Sequence, residues 1–164
     1  MPQLIESQAR ERLIDWLGQA GIEAVIMNPA SAGTYSYWTA QQHGAAASTV
    51  ELGRIGTLGQ NDLSQFAAAA RALDGLLRGQ VQAAGQGSKP LVFDTAQSIT
   101  KLSDAFTMSF GRDTENFTPL KKGEVIATDG DTVYTVQHDE ELVVFPNPDV
   151  RVGLRAGIMV VRVS

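Results

Sequence analysis

The sequence predicts two structural classes in one chain: an α/β segment over residues 1–78, a linker at 79–90, and a small antiparallel β domain over 91–164. Three observations carry this. Over the first 78 residues, apolar positions at helical spacing alternate with short apolar runs, in the order helix, strand, helix, strand, helix. Gly79 to Lys89 lose that periodicity and are rich in glycine and polar residues, as a linker is. From Leu91 the chain turns to short runs of Val, Thr, Phe and Ile separated by turn residues.

Taken in order, Ser7 to Ala20 place Leu13, Trp16, Leu17 and Ala20 on one helical face, and Gly21 ends that helix as a C-cap. Ile22 to Met27 follow as a strand, broken by Asn28-Pro29. Thr34 or Ser36 caps a short helix through Tyr37, Trp38 and Gln41 that ends near Gly44. Ala45 to Glu51 read as a buried strand delivering an acid just before Gly53, because strands covered on both faces carry nearly continuous apolar runs. Asp62 to Arg78 read as the longest helix, with Leu63, Phe66, Ala67, Ala70, Leu73 and Leu77 in one stripe. Two strands alone do not make a doubly wound sheet, so this part is expected to be the last third of a larger domain whose exposed edges invite self-association.

The β portion is expected to hold runs at 91–93, 98–102, 106–110, 124–128, 132–136, 142–145 and 157–163, with Asp129-Gly130 as a hairpin signal. The order of these runs is similar to a barrel-sandwich module of the biotinyl or lipoyl type. A Met-Lys-Met-like carrier lysine is absent, which argues against a swinging-arm role.

Composition narrows the function classes. The chain has 164 residues, 43% of them hydrophobic, enough for a real core. A net charge of −5 without a basic stripe argues against nucleic acid and anionic membrane as partners. The absence of cysteine leaves no thiolate metal site and fits a reducing compartment, with the cytoplasm as the expected location. No N-terminal signal pattern and no run near the ~18 apolar residues of a membrane span is present.

Few residues are candidates for chemistry. Glu51 has two readings, a carboxylate at the functional end of a strand or a solvated residue opening a loop. The chain has two histidines, His43 and His138, far apart and without metal-ligand spacing. His43 reads as a capping or packing residue, and His138 with Asp139-Glu140-Glu141 reads as an exposed acidic turn in preference to a cation site. Tyr35, Tyr37 and Gln41 precede the Glu51 run and either reach a substrate from a covering loop or simply pack.

Thr49-Val-Glu-Leu-Gly53, followed by Gly59-Gln-Asn-Asp-Leu63 and Phe66, resembles the succinylglutamate desuccinylases, in the aspartoacylase branch of the zinc carboxypeptidase-like hydrolases. Asp113-Thr-Glu-Asn-Phe117, Phe145-Pro-Asn-Pro148 and Gly153-Leu-Arg-Ala-Gly157 extend the resemblance along nearly the whole chain. The resemblance implies the C-terminal portion of a zinc carboxypeptidase-like sheet domain followed by the β domain. It also implies a zinc-dependent amidohydrolase that splits N-succinyl-glutamate into succinate and glutamate in arginine catabolism, acting on a small N-acyl amino acid. Glu51 matches the family's general base and acid on a zinc-bound water. The family's zinc ligands, a His-x-x-Glu pair and a later histidine, have no match before Glu51, so zinc is expected to be held by residues upstream of this chain and no metal ligand is assigned within it. Gln41 stands where the family often has an arginine for a substrate carboxylate, so that contact would have to come from Arg54 or an upstream cation. Read without the catalytic role, the chain is a non-catalytic binding or assembly module.

Overall fold

A computed structural model of the chain describes residues 7–27, 33–53, 57, 59–80 and 87–163. The chain divides into two units, residues 1–92 and 93–164.

The first unit is built on α1 (Ser7–Gln19) and β1 (Ala24–Met27). The turn between them is a Schellman motif. Gly21 N–H donates to Gly18 C=O at 3.0 Å and Ile22 N–H to Leu17 C=O at 2.9 Å, with Gly21 at φ 79°, a conformation a side chain resists. This turn aims the alternating strand so that Val25 and Met27 face Ile14 and Leu17 in a core completed by Ala40. Leu91 N–H donates to Glu23 C=O at 2.8 Å, and Val92 packs against the same core. Helix α2 (Tyr35–His43) starts as expected: Thr34 is extended and its Oγ1 accepts the Tyr37 N–H at 3.2 Å. Gly44 closes it in the left-handed conformation.

Gly18 lies where α1 passes closest to the 88–90 segment, and a Cβ added there would overlap the Ser88 carbonyl oxygen and touch Pro90 Cδ at 3.0 Å. In an open helix Gly→Ala gains up to ~1 kcal/mol. Here Gly18→Ala is expected to lower stability, because backbone must move; a raised urea midpoint would contradict the close approach.

Two expectations for this unit are corrected. Residues 45–52 join no helix and no strand ladder among the described residues, and Thr49, Val50, Glu51 and Leu52 are exposed instead of buried. A strand exists only when a neighbour takes its N–H and C=O groups, and an apolar run does not supply that neighbour. The Asp62–Arg78 helix is a 3-10 turn, Leu63–Phe66, leading into α3 (Ala67–Leu77), which is shorter than α1. Asp62 Oδ1 accepts from Ser64 N–H at 3.0 Å and Ser64 Oγ at 2.6 Å, which tightens that first turn. The expected buried stripe is largely open: Leu63 is 74%, Leu73 51% and Leu77 79% exposed.

The second unit is antiparallel β throughout. Its strands are β2 (Leu91–Thr100, whose first two residues belong to the first unit), β3 (Thr107–Met108), β4 (Thr118–Lys121), β5 (Val125–Asp129), β6 (Thr132–Thr135), β7 (Glu140–Val144) and β8 (Arg155–Arg162). Strands β2, β8, β7 and β4 are neighbours in that order in one sheet, and β3, β5 and β6 form a second. Ile99, Ile126, Val143, Ala156 and Met159 fill the core with Phe106, Leu120 and Val136. The runs expected at 91–93 and 98–102 are one strand, irregular between Thr95 and Gln97. Strand β4 escapes sequence reading because Pro119 sits in it. At the edge of the sheet one face of the ladder is free, so a missing N–H is tolerated.

Asp129 pairs with Thr132, leaving Gly130-Asp131 as a two-residue turn with Gly130 at φ 59°. Asp129 is itself buried and accepts from Leu102 N–H at 2.6 Å, Ser103 N–H at 3.0 Å and the Ser103 hydroxyl. That hydroxyl bond, with the backbone donors, holds its carboxyl below the usual range despite burial.

The later motifs meet in this unit. Phe117 and Phe145 both occupy the left-handed region, at φ 66° and 54°, where a bulky side chain is strained. Each is tied down: Phe117 N–H donates to Val143 C=O at 2.7 Å and Phe145 N–H to Asn116 Oδ1 at 2.8 Å. The Phe117 ring lies 4.9 Å from that of Phe93. Asn147 N–H then donates to Ala156 C=O at 2.7 Å, joining the Phe145–Pro148 stretch to Gly153–Gly157.

Candidate active site

Glu51 follows the irregular stretch out of α2 and precedes Gly53, whose α-carbon lies against the Phe66 ring; a Cβ there would be 3.4 Å from it. The 3-10 turn capped by Asp62 thus fixes the far side of the segment that carries the acid. Among the described residues the Glu51 carboxylate has neither a hydrogen bond nor an ion pair, and it faces solvent. An unengaged carboxylate of this kind is chemically available as a proton acceptor.

Beside it, within the first unit, an open groove of about 610 Å³ runs between α1, α2 and the 46–50 stretch. Arg12, Leu13 and Trp16 line it from α1, Tyr35 and Thr39 from α2, and Ala47, Ser48 and Val50 from the run leading to Glu51. Of the residues singled out in sequence, Tyr35 lies on this groove and stacks on Trp38 at 5.9 Å. Tyr37, Gln41 and Glu51 do not line it. Arg54 lies outside the described residues. Arg12 is the cation that sequence reading passed over, although its place one turn before Trp16 on the same helix was a usable signal.

The histidines do not combine with a carboxylate cluster. His43, in the last turn of α2, is exposed and sits edge-on to Trp38 at 5.2 Å. The acidic turn at 138–141 needs correction. Asp139 is solvated, but Glu140 pairs with Lys121 at 2.5 Å and Glu141 is fully buried. Strand alternation decides this, since β7 turns position 141 inward. Glu141 accepts from Gln97 Nε2 at 2.7 Å, Gln137 N–H at 2.8 Å and His138 N–H at 3.1 Å, with His138 Nδ1 at 2.9 Å. Among the described residues no group of three or more His, Asp or Glu side chains is placed to hold a metal ion.

Residues 2–77 match the succinylglutamate desuccinylase/aspartoacylase catalytic domain, and residues 88–163 match the AstE/AspA barrel-sandwich hybrid domain. The chain belongs to the succinylglutamate desuccinylase/aspartoacylase family.

Among the proteins it is similar to are succinylglutamate desuccinylases. That of Burkholderia orbicola is 49% identical over 149 residues, 91% of this chain and 43% of the relative. The solved Vibrio cholerae structure has a TM-score of 0.86 at 33% identity, over 98% of this chain and 47% of that one. The Chromobacterium violaceum structure gives 0.73 at 37% identity, over 98% and 48%. The chain therefore spans less than half the length of these relatives.

Proposed function

We propose that this chain is the base-bearing part of a zinc-dependent amidohydrolase that cleaves N-succinyl-glutamate to succinate and glutamate, in cytoplasmic arginine catabolism. The observation that carries the reading is the 49% identity to a succinylglutamate desuccinylase along a chain that keeps Glu51 solvent-facing and unpaired. On this reading residues 1–78 are the C-terminal part of a zinc carboxypeptidase-like domain, 79–90 a linker and 91–164 the β domain. Residues 81–86 of that linker lie outside the described ones.

The described residues do not fit a catalytic zinc. Such a site needs about three protein ligands. His43 and His138 are the chain's two histidines, and among the described residues neither belongs to a group of three or more His, Asp or Glu side chains placed to hold a metal ion. The metal's ligands are therefore assigned outside this chain. What the chain itself contributes is proton transfer: Glu51 takes a proton from the attacking water and returns it to the leaving amine as the amide C–N bond breaks.

The same poverty of ligands favours the second reading, a non-catalytic binding module. Zinc analysis of the purified 164-residue chain is expected to find far less than one equivalent, and no release of succinate. One tightly held zinc with turnover would place the whole site within this chain and overturn the division proposed here.

A further inference from the structure

Residues 136–139 carry the chain from β6, in one sheet of the second unit, to β7, in the other. Val136 is fixed by backbone bonds, donating to Glu124 C=O and accepting from Gly123 N–H. The rest of the crossover hangs on one side chain. Glu141, fully buried, accepts at Oε1 from the Gln137 and His138 N–H groups at 2.8 and 3.1 Å, with His138 Nδ1 at 2.9 Å, and at Oε2 from Gln97 Nε2 at 2.7 Å. Gln97 follows the irregularity of β2, and its Nε2 also donates to Thr135 C=O, at the end of β6, at 3.0 Å. The carboxylate thus ties the crossover to both sheets. Its other ties lie at the surface: Lys122 N–H donates to Asp139 C=O at 3.2 Å, the Gln137 side chain bonds Thr135, and Lys121–Glu140 and Lys122–Asp139 are exposed pairs, which contribute little.

An ionised carboxylate only accepts hydrogen bonds, and this one is met by donors; a protonated carboxyl would add a hydrogen of its own to the same set. An imidazolium donates from both ring nitrogens, so in acid His138 offers that hydrogen no acceptor. We propose that Glu141 is an acid-released clasp: on taking up a proton it lets go of residues 137–139, which open about Val136 while both sheets stay folded. Few charged groups surround it. His138 is the titratable one in contact. From β4, Lys121 is turned to Glu140 and Lys122 to Asp139, and Glu124 accepts the Lys121 N–H. Strand β2 presents the uncharged Gln97, β6 the Thr135 carbonyl, and β8 meets β7 with Ile158, Met159 and Val160. Burial raises the Glu141 carboxyl, but its hydrogen bonds hold it below 4.5, so release falls on the acid side of that value.

The test is amide hydrogen exchange of the full 164-residue chain, followed residue by residue from about pH 7 to about pH 3 and corrected for intrinsic rates. Protection of the Gln137 and His138 N–H groups is expected to fall at least about ten-fold below pH 4.5, while the amides that pair β7 with β8 keep theirs. Glu141→Gln, neutral at every pH and itself a donor, should show that loss already at neutral pH. Gln97→Ala leaves the carboxylate but removes its arm to the sheets, and should move the acid loss to higher pH, a shift that a merely space-filling side chain would not cause. Lys122→Ala removes an exposed pair and should leave the profile where it is. Loss at Gln137 and His138 that coincides with loss across the β7–β8 pairing makes the event global unfolding and overturns the proposal. So does a folded Glu141→Gln with both amides still protected, or a Gln97→Ala profile that superimposes on the parent's. If Glu141→Gln does not fold, the parent profile and Gln97→Ala decide.

Discussion

Glu51→Gln, in a protein that also carries the zinc-ligand segment, is expected to lower kcat by two or more orders of magnitude, within the ~10²–10⁴-fold that positioned acid–base catalysis supplies. The amide keeps the side chain's size and its place ahead of Gly53, but it cannot accept a proton at neutral pH. Because Glu51 is exposed and has no partner among the described residues, folding should be unchanged, and the urea midpoint serves as the control. KM should move little if Glu51 acts in the chemical step and not in binding. A kcat within a few-fold of the parent would remove Glu51 from the mechanism and favour the binding-module reading.

Glu141→Ala is expected to be the most damaging single change in the second unit, by about 3 kcal/mol or more in chemical unfolding. The substitution takes the acceptor from one hydrogen of Gln97 Nε2, which keeps its bond to Thr135 C=O at 3.0 Å, and from the part-buried N–H groups of Gln137 and His138; a buried donor left without its acceptor costs about 1–3 kcal/mol. Its neighbour gives the contrast. Glu140→Ala removes a surface pair with Lys121 and should cost under about 1 kcal/mol. Comparable losses at the two positions would contradict the inward placement of Glu141.

The same site sets a pH dependence. Burial alone would raise the Glu141 carboxyl, but the bonds from Gln97, His138 and the two backbone donors outweigh it and hold it below the ordinary value of 4.5. A carboxyl depressed in the folded state contributes stability that is present above 4.5 and is lost as pH falls through the folded value. The parent should therefore lose stability on acidification below that point, and Glu141→Ala should flatten this part of the curve.

Much of the fold was legible because local physics wrote it. The helix over Ser7–Gln19, its Gly21 cap, the Thr34 cap of α2 and the hairpin signalled by Asp129-Gly130, whose turn falls one residue later at Gly130-Asp131, each depend on residues within a few positions of one another. The motif order from Thr49 to Gly157 likewise pointed to the family by resemblance. Legibility failed where the answer depended on a distant neighbour. The 45–51 run has strand composition, but a strand is a pairing, and among the described residues nothing pairs with it. The α3 stripe has helical spacing, yet spacing does not say what covers Leu73 and Leu77.

What the sequence determined by itself is the two-part character of the chain, its caps and turns, and Glu51 as the candidate base. Tertiary structure alone decided that Glu141 is buried while Glu140 beside it is exposed, since the register of β7 against β4 and β8 selects the face. It alone placed Pro119 on a sheet edge and joined Asn116 to Phe145 across 29 residues. It also gathered Trp16, Tyr35 and Val50 around one groove. The physical reason is common to all four: burial, pairing and enclosure are relations between segments far apart in the chain, and they carry no signal in the residues on either side.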